Sequence, residues 1–199
     1  MKFVAAGDML VQQRIQHNYP GFDELSPFIK DADGRFFNLE TTLNHEGETS
    51  VSQLSGGTYL RVDPEVLDDL KPFGFNMMSF NNNHALDFFY DGLEATLKAA
   101  DASGLVHAGV GRNLAEASAP KYLSTPNGRI ALISVNFSFT PEMLAGEQTP
   151  RIKGRPGVNP LRTKQNVELE REDFEKIKHV FAEKKGGAVP LTVSHVKYQ

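Results

Sequence analysis

The chain has 199 residues, of which 40% are hydrophobic and 23% are charged, and its formal net charge is −4. This composition is typical of a globular domain and excludes a disordered or fibrous chain, while the mildly acidic balance gives no support to binding of nucleic acid or of an anionic membrane. Because the sequence has no cysteine, thiolate catalysis, disulfides and cysteine-rich metal sites are excluded. The length suits one α/β domain over residues 1–199.

The start of the chain bears on its location. No segment approaches the roughly 20 apolar residues that a membrane span requires. The apolar run that begins at Met1 gives way at once to Gly7 and Asp8, so it is too short for the hydrophobic region of a signal peptide. We therefore expect a cytoplasmic protein from the sequence as it stands. The alternative is the outer face of the cell membrane, if Met1 replaces a signal or anchor that was removed.

The order of the predicted elements favours an α/β layered sheet. Apolar runs that end at turn residues indicate short strands, and apolar residues three or four apart indicate helices. Strands are predicted at residues 2–6, 35–40, 59–62, 73–80, 105–111, 121–123, 130–135 and 190–195. Helices are predicted at residues 22–30, 92–100, 113–117 and 167–185, and a further helix opens at Asp63-Pro64-Glu65. Residues 41–57 are predicted to form a long loop, and residues 137–160 an extended surface segment.

Polar side chains stand at the ends of the predicted strands. Asp8 follows the first strand, Glu40 ends the second, Asn83 and His84 follow the strand over residues 73–80, and His195 ends the last one. Such residues converge if their strands are neighbours in one sheet. A shell of carboxylate, amide and imidazole ligands suits Mn, Fe or Zn, and extends to Mg. Two such ions close together would polarise a phosphoryl or carbonyl oxygen and activate water.

Each of these residues also has an ordinary structural alternative. Asp8 could cap a turn, and Glu40 could be the solvent-facing end of a strand. The amides of residues 81–83 could bond their own backbone, and His84 could stand near a helix N-terminus without any ligand. Three amides in a row beside His84 and Asp87 are an unusual density of polar groups, which favours a functional site.

Four short motifs occur in a fixed order between Gly7 and about Val135. They are Gly7-Asp8-Met9, Phe37-Asn38-Leu39-Glu40-Thr41, Asn82-Asn83-His84-Ala85-Leu86-Asp87, and Gly109-Val110-Gly111-Arg112-Asn113. In residues and order they resemble the CapA family of bacterial capsule and poly-γ-glutamate synthesis proteins. The resemblance implies a fold similar to that of calcineurin-like metallophosphoesterases, an α/β/β/α sandwich with a two-metal site at the strand ends.

The resemblance also implies roles for the matching residues. The metal ligands that it implies are Asp8, Glu40, Asn83 and His84. Catalytic roles fall to Asp87 and His195, with orientation of His84 as the alternative role of Asp87. Substrate binding is assigned to Asn38 and Asn82.

The chain departs from the phosphoesterase pattern in two places. Leu10 stands where the first motif of those enzymes has a histidine, and the His-rich stretch that follows the family's counterpart of His195 is missing from the 199 residues. Either the chain is a fragment, or its C-terminal part has diverged.

Two functions fit these observations. The first is metal-dependent hydrolysis of an acidic polymer, such as poly-γ-glutamate, or of a phosphoester. The alternative is a non-catalytic subunit that binds the polymer or acts as a scaffold in a capsule-synthesis complex.

Overall fold

The computed structural model describes residues 1–17, 19–53, 58–163 and 169–183. Residues 1–161 form one compact unit, and a second unit begins at Arg162, where the described residues contain one helix. His195 and the strand predicted at residues 190–195 lie outside the described residues. Assignment of the whole chain to one domain stays a prediction. Among the helices of the described ranges, none has the length and apolar character of a membrane span.

The described residues form ten strands and five α-helices, most of them short. The strands are β1 Phe3–Met9, β2 Gly34–Leu39, β3 Thr42–Leu43, β4 Arg61–Val62, β5 Met77–Ser79, β6 Val106–Ala108, β7 Val110–Gly111, β8 Lys121–Thr125, β9 Gly128–Leu132 and β10 Gly157–Val158. The helices are α1 Phe22–Lys30, α2 Val66–Asp69, α3 Phe89–Ser103, α4 Leu114–Ser118 and α5 Arg171–Glu183, with 3₁₀ turns at Lys71–Phe73 and Pro141–Met143.

A four-stranded parallel sheet organises the first unit, with strand order β1-β2-β5-β6. All three neighbouring pairs in this sheet are parallel, so the carboxyl ends of its strands lie at one edge. The predicted α/β class is therefore confirmed, and a parallel sheet with helices is consistent with the metallophosphoesterase-like fold that the sequence resemblance implies. The remaining sheets have two strands each.

The alternation of side chains along β2 separates the core from the polar edge. Phe37 and Leu39 are almost completely buried in the hydrophobic core, together with Met78 of β5 and Leu93 of α3. Because successive side chains of a strand point to opposite faces, Asn38 points away from that core. The apolar residues of β2 thus anchor the sheet, while the polar residue between them remains available at its carboxyl end.

Two segments are more ordered than the sequence pattern predicted. Within the predicted loop over residues 41–57, of which residues 41–53 are described, β3 pairs in parallel with β4, and Leu43 N donates to Thr96 Oγ1 of α3 at 2.9 Å. In the segment over residues 137–160, Met143 and Val158 are buried, and β10 pairs with β7. These strands have only two residues each, which is too short to produce a detectable period in the sequence.

The segment after β1 is fastened to α2 by one carboxylate. Asp69 Oδ2 accepts a hydrogen bond from Arg14 Nε at 2.6 Å and another from Ile15 N at 2.9 Å. The hydrogen bond from Arg14 holds the pKa of Asp69 below its ordinary value. The side chain of Asp69 is 10% exposed, so most of its interactions are with protein groups and not with water.

We predict that Asp69→Asn lowers the free energy of unfolding at pH 7 by about 1 to 2 kcal/mol, because the charge-assisted bonds to Arg14 are lost. The folded-state pKa of Asp69 is depressed, so this stabilisation is present above the unfolded-state pKa of about 3.9 and is lost as the pH falls through the lower folded-state value. Urea denaturation at pH 7 and at pH 3 measures the difference.

The matched control is Asp68→Asn, whose ion pair with Lys71 lies at the surface. Exposed pairs contribute about 0 to 1 kcal/mol, so this variant should remain close to the parent at both pH values. A loss for Asp69→Asn that is equal at pH 7 and pH 3 would contradict the role of its charge.

Candidate functional site

The carboxyl edge of the parallel sheet gathers the polar residues that the sequence singled out. Asp8 lies near the end of β1, Glu40 follows β2, and residues 80–84 follow β5. These three strands are neighbours, and the backbone of Glu40 continues the ladder by donating to Met9 O at 3.3 Å. The convergence expected from the sequence therefore takes place at an edge where open α/β sheets bind ligands.

Asn38 connects the two carboxylates of this edge. It is the residue that pairs with Asp8 across β1 and β2, after an irregularity in the register between Ala5 and Asp8. Its Nδ2 donates to Asp8 Oδ1 at 2.9 Å and to Glu40 Oε2 at 3.2 Å. One amide thus holds both carboxylates on the same side of the sheet.

Glu40 has the most perturbed environment of this edge. Burial raises the pKa of Glu40 above its ordinary value, and the hydrogen bond and negative charge of Asp8 raise it further. The charge of His84 and the hydrogen bond from Asn38 act in the opposite direction. Two carboxylates in contact are stabilised by a proton or by a cation between them.

Asp87 orients the imidazole of His84. The carboxylate of Asp87 is buried, and its Oδ2 lies 2.8 Å from His84 Nδ1 and accepts from Leu60 N at 2.8 Å. When Nδ1–H of His84 donates its hydrogen bond to Asp87, the neutral imidazole carries its lone pair on Nε2. This Nε2 atom lies 3.9 Å from Glu40 Oε1. Because Asp87 is buried behind His84, its position favours a role in orienting His84 over a role in proton transfer to a substrate.

The three consecutive amides have different environments. Asn82 Nδ2 donates to Asn38 Oδ1 at 3.2 Å and to Leu39 O at 2.9 Å, while its Oδ1 accepts from His84 N at 3.1 Å. Asn81 Nδ2 donates to Asn159 O at 3.1 Å. These two buried amides fasten the loop to other segments, which favours a structural role for Asn82. The substrate-binding roles predicted for Asn38 and Asn82 stay predictions.

Asn83, in contrast, is exposed and borders a cleft next to His84. The cleft has a volume of about 430 Å³, and its walls include Asn83, His84, Ser138, Phe139, Thr140 and Met143. Asn83 and His84 thus belong to a surface that is open to a ligand. The four residues from the segment after β9 were not found by sequence reasoning, because no motif distinguishes them from an ordinary surface segment.

A second cluster of ionisable groups lies at β3 and β4. His45 Nδ1 is 3.6 Å from Asp63 Oδ1, and His45 Nε2 is 4.0 Å from Glu65 Oε1. In the described part of the chain, this is the one group of three in which a ligand atom of each residue lies within 4.8 Å of the others. At the sheet edge, by contrast, Glu40 contacts Asp8 on one side and His84 on the other, so Asp8, Glu40 and His84 form two pairs that share Glu40. All three residues of the His45 cluster are about half exposed, and Arg61 Nη1 already contacts Asp63 at 2.8 Å.

The fold and this edge define an α/β protein with carboxylate, amide and imidazole groups at the carboxyl ends of a parallel sheet. Residues 2–196 match the family model described as bacterial capsule synthesis protein PGA_cap. The chain belongs to this family, which confirms the family predicted from the four motifs.

Curated relatives support the same assignment. The uncharacterized protein y4sH of Sinorhizobium fredii is 38% identical over 182 residues, which cover 89% of this chain and 39% of that protein. The capsule biosynthesis protein CapA of Bacillus anthracis is 24% identical, over 70% of this chain and 33% of its own length. A probable polyglutamine synthesis accessory protein of Mycobacterium tuberculosis is 28% identical, over 61% of this chain and 30% of its own length. The chain therefore spans about two fifths or less of these relatives.

Gly109 offers a test of how the Asn81–Asn83 loop is held. Its φ is +100°, and a Cβ at this position would lie 2.5 Å from Asn81 Cβ and 2.7 Å from Ser134 Cβ. We predict that Gly109→Ala lowers the free energy of unfolding by about 2 to 4 kcal/mol, because backbone strain and overpacking add. Thermal and urea denaturation measure the loss.

Gly104→Ala is the matched control, since φ is +77° there but no atom lies within 4 Å of the added Cβ. Strain alone should cost about 1 kcal/mol at that position. Equal losses for the two variants would show that the close approach to Asn81 does not matter.

Proposed function

We propose that this chain holds a divalent metal ion at the carboxyl edge of its sheet and hydrolyses an acidic polymer or a phosphoester in the synthesis of a capsule-type polymer. The observation that carries the proposal is the position of Glu40 between Asp8 and His84. Membership of the capsule synthesis family supports the biological context. The names of the Bacillus and Mycobacterium relatives, which refer to capsule biosynthesis and polyglutamine synthesis, support a role in the synthesis of a polymer.

The residues present fit a divalent ion. Asp8 and Glu40 bring two carboxylates into contact, and burial, together with the hydrogen bond and negative charge of Asp8, raises the pKa of Glu40, so a cation between them would be stabilising. His84 turns Nε2 toward Glu40 while Asp87 holds its other nitrogen, a pattern that is common behind metal-bound histidines. The ion would be held by Asp8, Glu40 and His84, with Asn83 as an additional amide ligand, and Mn, Fe or Zn suits these donors.

A divalent ion at this edge supplies Lewis-acid polarisation of the substrate and a water molecule that is activated at neutral pH. The chain's own residues position the ligands of the ion and the substrate. Asp87 fixes the rotation of the His84 ring, Asn38 holds the two carboxylates, and the hydroxyl group of exposed Ser138 offers a hydrogen bond to a substrate in the cleft. Phe139 and Met143 provide apolar contact for the uncharged part of a chain.

The test measures metal affinity and hydrolysis in the same set of variants. Isothermal titration with Mn²⁺ and Zn²⁺ should show binding to the parent protein, and Asp8→Ala and His84→Ala should weaken it by about 10- to 100-fold or more. The same variants should lose hydrolysis of phosphate esters, of poly-γ-glutamate, or of both.

His45→Ala is the control, because it removes the histidine of the second ionisable cluster. It should leave both metal affinity and hydrolysis unchanged. If His45→Ala abolishes metal binding while Asp8→Ala does not, the metal site has been assigned to the wrong cluster. A protein that binds no metal and hydrolyses neither substrate, yet binds the polymer, would replace the proposal by the scaffold function.

A further inference from the structure

Residues 146–155 form a small hairpin beside the cleft. Gly146 N donates to Arg155 O at 2.9 Å, and the backbones of Thr149 and Ile152 exchange hydrogen bonds of 2.9 and 3.3 Å. Thr149 Oγ1 also accepts from Ile152 N at 3.0 Å, which closes the turn at Pro150. The segment is thus a defined structural element and not an irregular excursion of the surface.

The hairpin is held against α4 by close backbone contact. Leu114 N, at the start of α4, donates to Gly146 O at 2.9 Å. A Cβ at Gly154 would lie 2.5 Å from Asn113 Cβ, so the two segments approach as closely as a glycine permits. The stem of the hairpin therefore has a fixed position on the first unit.

The hairpin carries a concentration of positive charge in an acidic protein. Arg151, Lys153 and Arg155 occupy alternate positions and all three are exposed, while Glu147 is the one acidic residue between Gly146 and Arg155. None of the ion pairs within the described ranges uses these three side chains. No ion pair of the described residues therefore neutralises these three charges, although the chain as a whole has a net charge of −4.

Arg155 connects the hairpin to the segment that forms one wall of the cleft. Arg155 Nε donates to Leu144 O at 2.9 Å, and Leu144 follows Met143, which lines the cleft. The charge of Arg155 contributes to a lowered pKa of Glu142, after the hydrogen bonds that Glu142 receives from Thr140 and from its own backbone. Tyr90 Oη donates to Glu142 O at 3.1 Å and fastens this wall to α3. Arg155 is thus bonded to the backbone of the segment that forms this wall.

We propose that the hairpin over residues 146–155 captures an acidic polymer through Arg151, Lys153 and Arg155 and guides it into the cleft beside His84. The proposal rests on the proposed function in that it takes the ligand to be a polymer with repeated carboxylates. Guanidinium groups bind carboxylates in a planar, two-pronged geometry, and a lysine adds an adaptable point charge. Cations at alternate residues suit an extended ligand whose carboxylates recur along its length. The cleft itself supplies uncharged hydrogen-bonding groups next to His84, so the hairpin provides the positive charge that the polymer requires.

The experiment measures the affinity for fluorescein-labelled poly-γ-glutamate by fluorescence anisotropy at 20 and 200 mM NaCl. The test variant is Arg151→Ala with Lys153→Ala, which leaves the Arg155 contact of the stem intact. We expect it to bind about tenfold more weakly at low salt, and the difference should shrink at high salt because the interactions are exposed to screening. Arg155→Ala should also weaken binding, and Arg155→Lys should restore part of the affinity.

The matched control is Lys30→Ala with Lys98→Ala, which removes two exposed cations from α1 and α3 of the same unit. It should bind the polymer within twofold of the parent, and thermal denaturation should show that both double variants remain folded. Equal losses for the test and control variants would overturn the proposal, because they would indicate a response to net charge alone. Tighter binding of duplex DNA or of phosphatidylglycerol vesicles than of the polymer, lost in the same hairpin variants, would also overturn it.

Metal binding and hydrolysis of a small phosphate ester separate this proposal from the proposed function. Polymer binding that depends on the hairpin in a protein without metal or hydrolysis would support capture and reject hydrolysis. Intact metal-dependent hydrolysis with polymer affinity that ignores the hairpin substitutions would reject capture and leave the hydrolase proposal standing.

Discussion

The parallel register between β1 and β2 is the constraint on which the site depends. It places Asp8 directly opposite Asn38, and the Asn38 amide then bonds both Asp8 and Glu40. Asn82 extends the same connection to the strand beyond by bonding Asn38 and the backbone of Leu39. A shift of one residue in β2 would turn Asn38 into the core and Phe37 toward solvent, so burial of the apolar residues stabilises the polar arrangement as well.

The sheet edge and the hairpin over residues 146–155 carry opposite charges. Two carboxylates in contact at the sheet edge concentrate negative charge, and His84, oriented by buried Asp87, is the nearest group able to offset it. Beyond the cleft, the hairpin over residues 146–155 carries three exposed cations, Arg151, Lys153 and Arg155, and one acidic residue, Glu147. The proposed metal site rests on the negative charge at the first position, and the proposed capture of an acidic polymer rests on the positive charge at the second.

Most of the parallel sheet could be predicted from the sequence, because its strands carry apolar runs that end at polar residues. Helix α1 was predicted with the bounds that it has, Phe22–Lys30, since its apolar spacing is regular and Gly21 marks its start. Strands β3 and β10 were missed because two residues cannot establish a period, and their pairing depends on distant partners, β4 and β7. For the same reason the walls of the cleft formed by Ser138 to Met143 were interpreted as an exposed segment, although Met143 is buried.

The sequence by itself determined the family and the candidate polar residues, because Asp8, Glu40 and the Asn82–Asp87 motif are local patterns that need no partner to be recognised. Only the tertiary structure decided which of these polar residues are buried against other segments and which are exposed at the cleft. The Nδ2 groups of buried Asn81 and Asn82 donate hydrogen bonds to other segments, whereas neighbouring Asn83 is exposed at the cleft. Hydrogen-bond partners that lie about 40 to 80 residues away along the chain leave no local trace in a sequence, and they determine whether an amide stabilises the fold or remains free to bind.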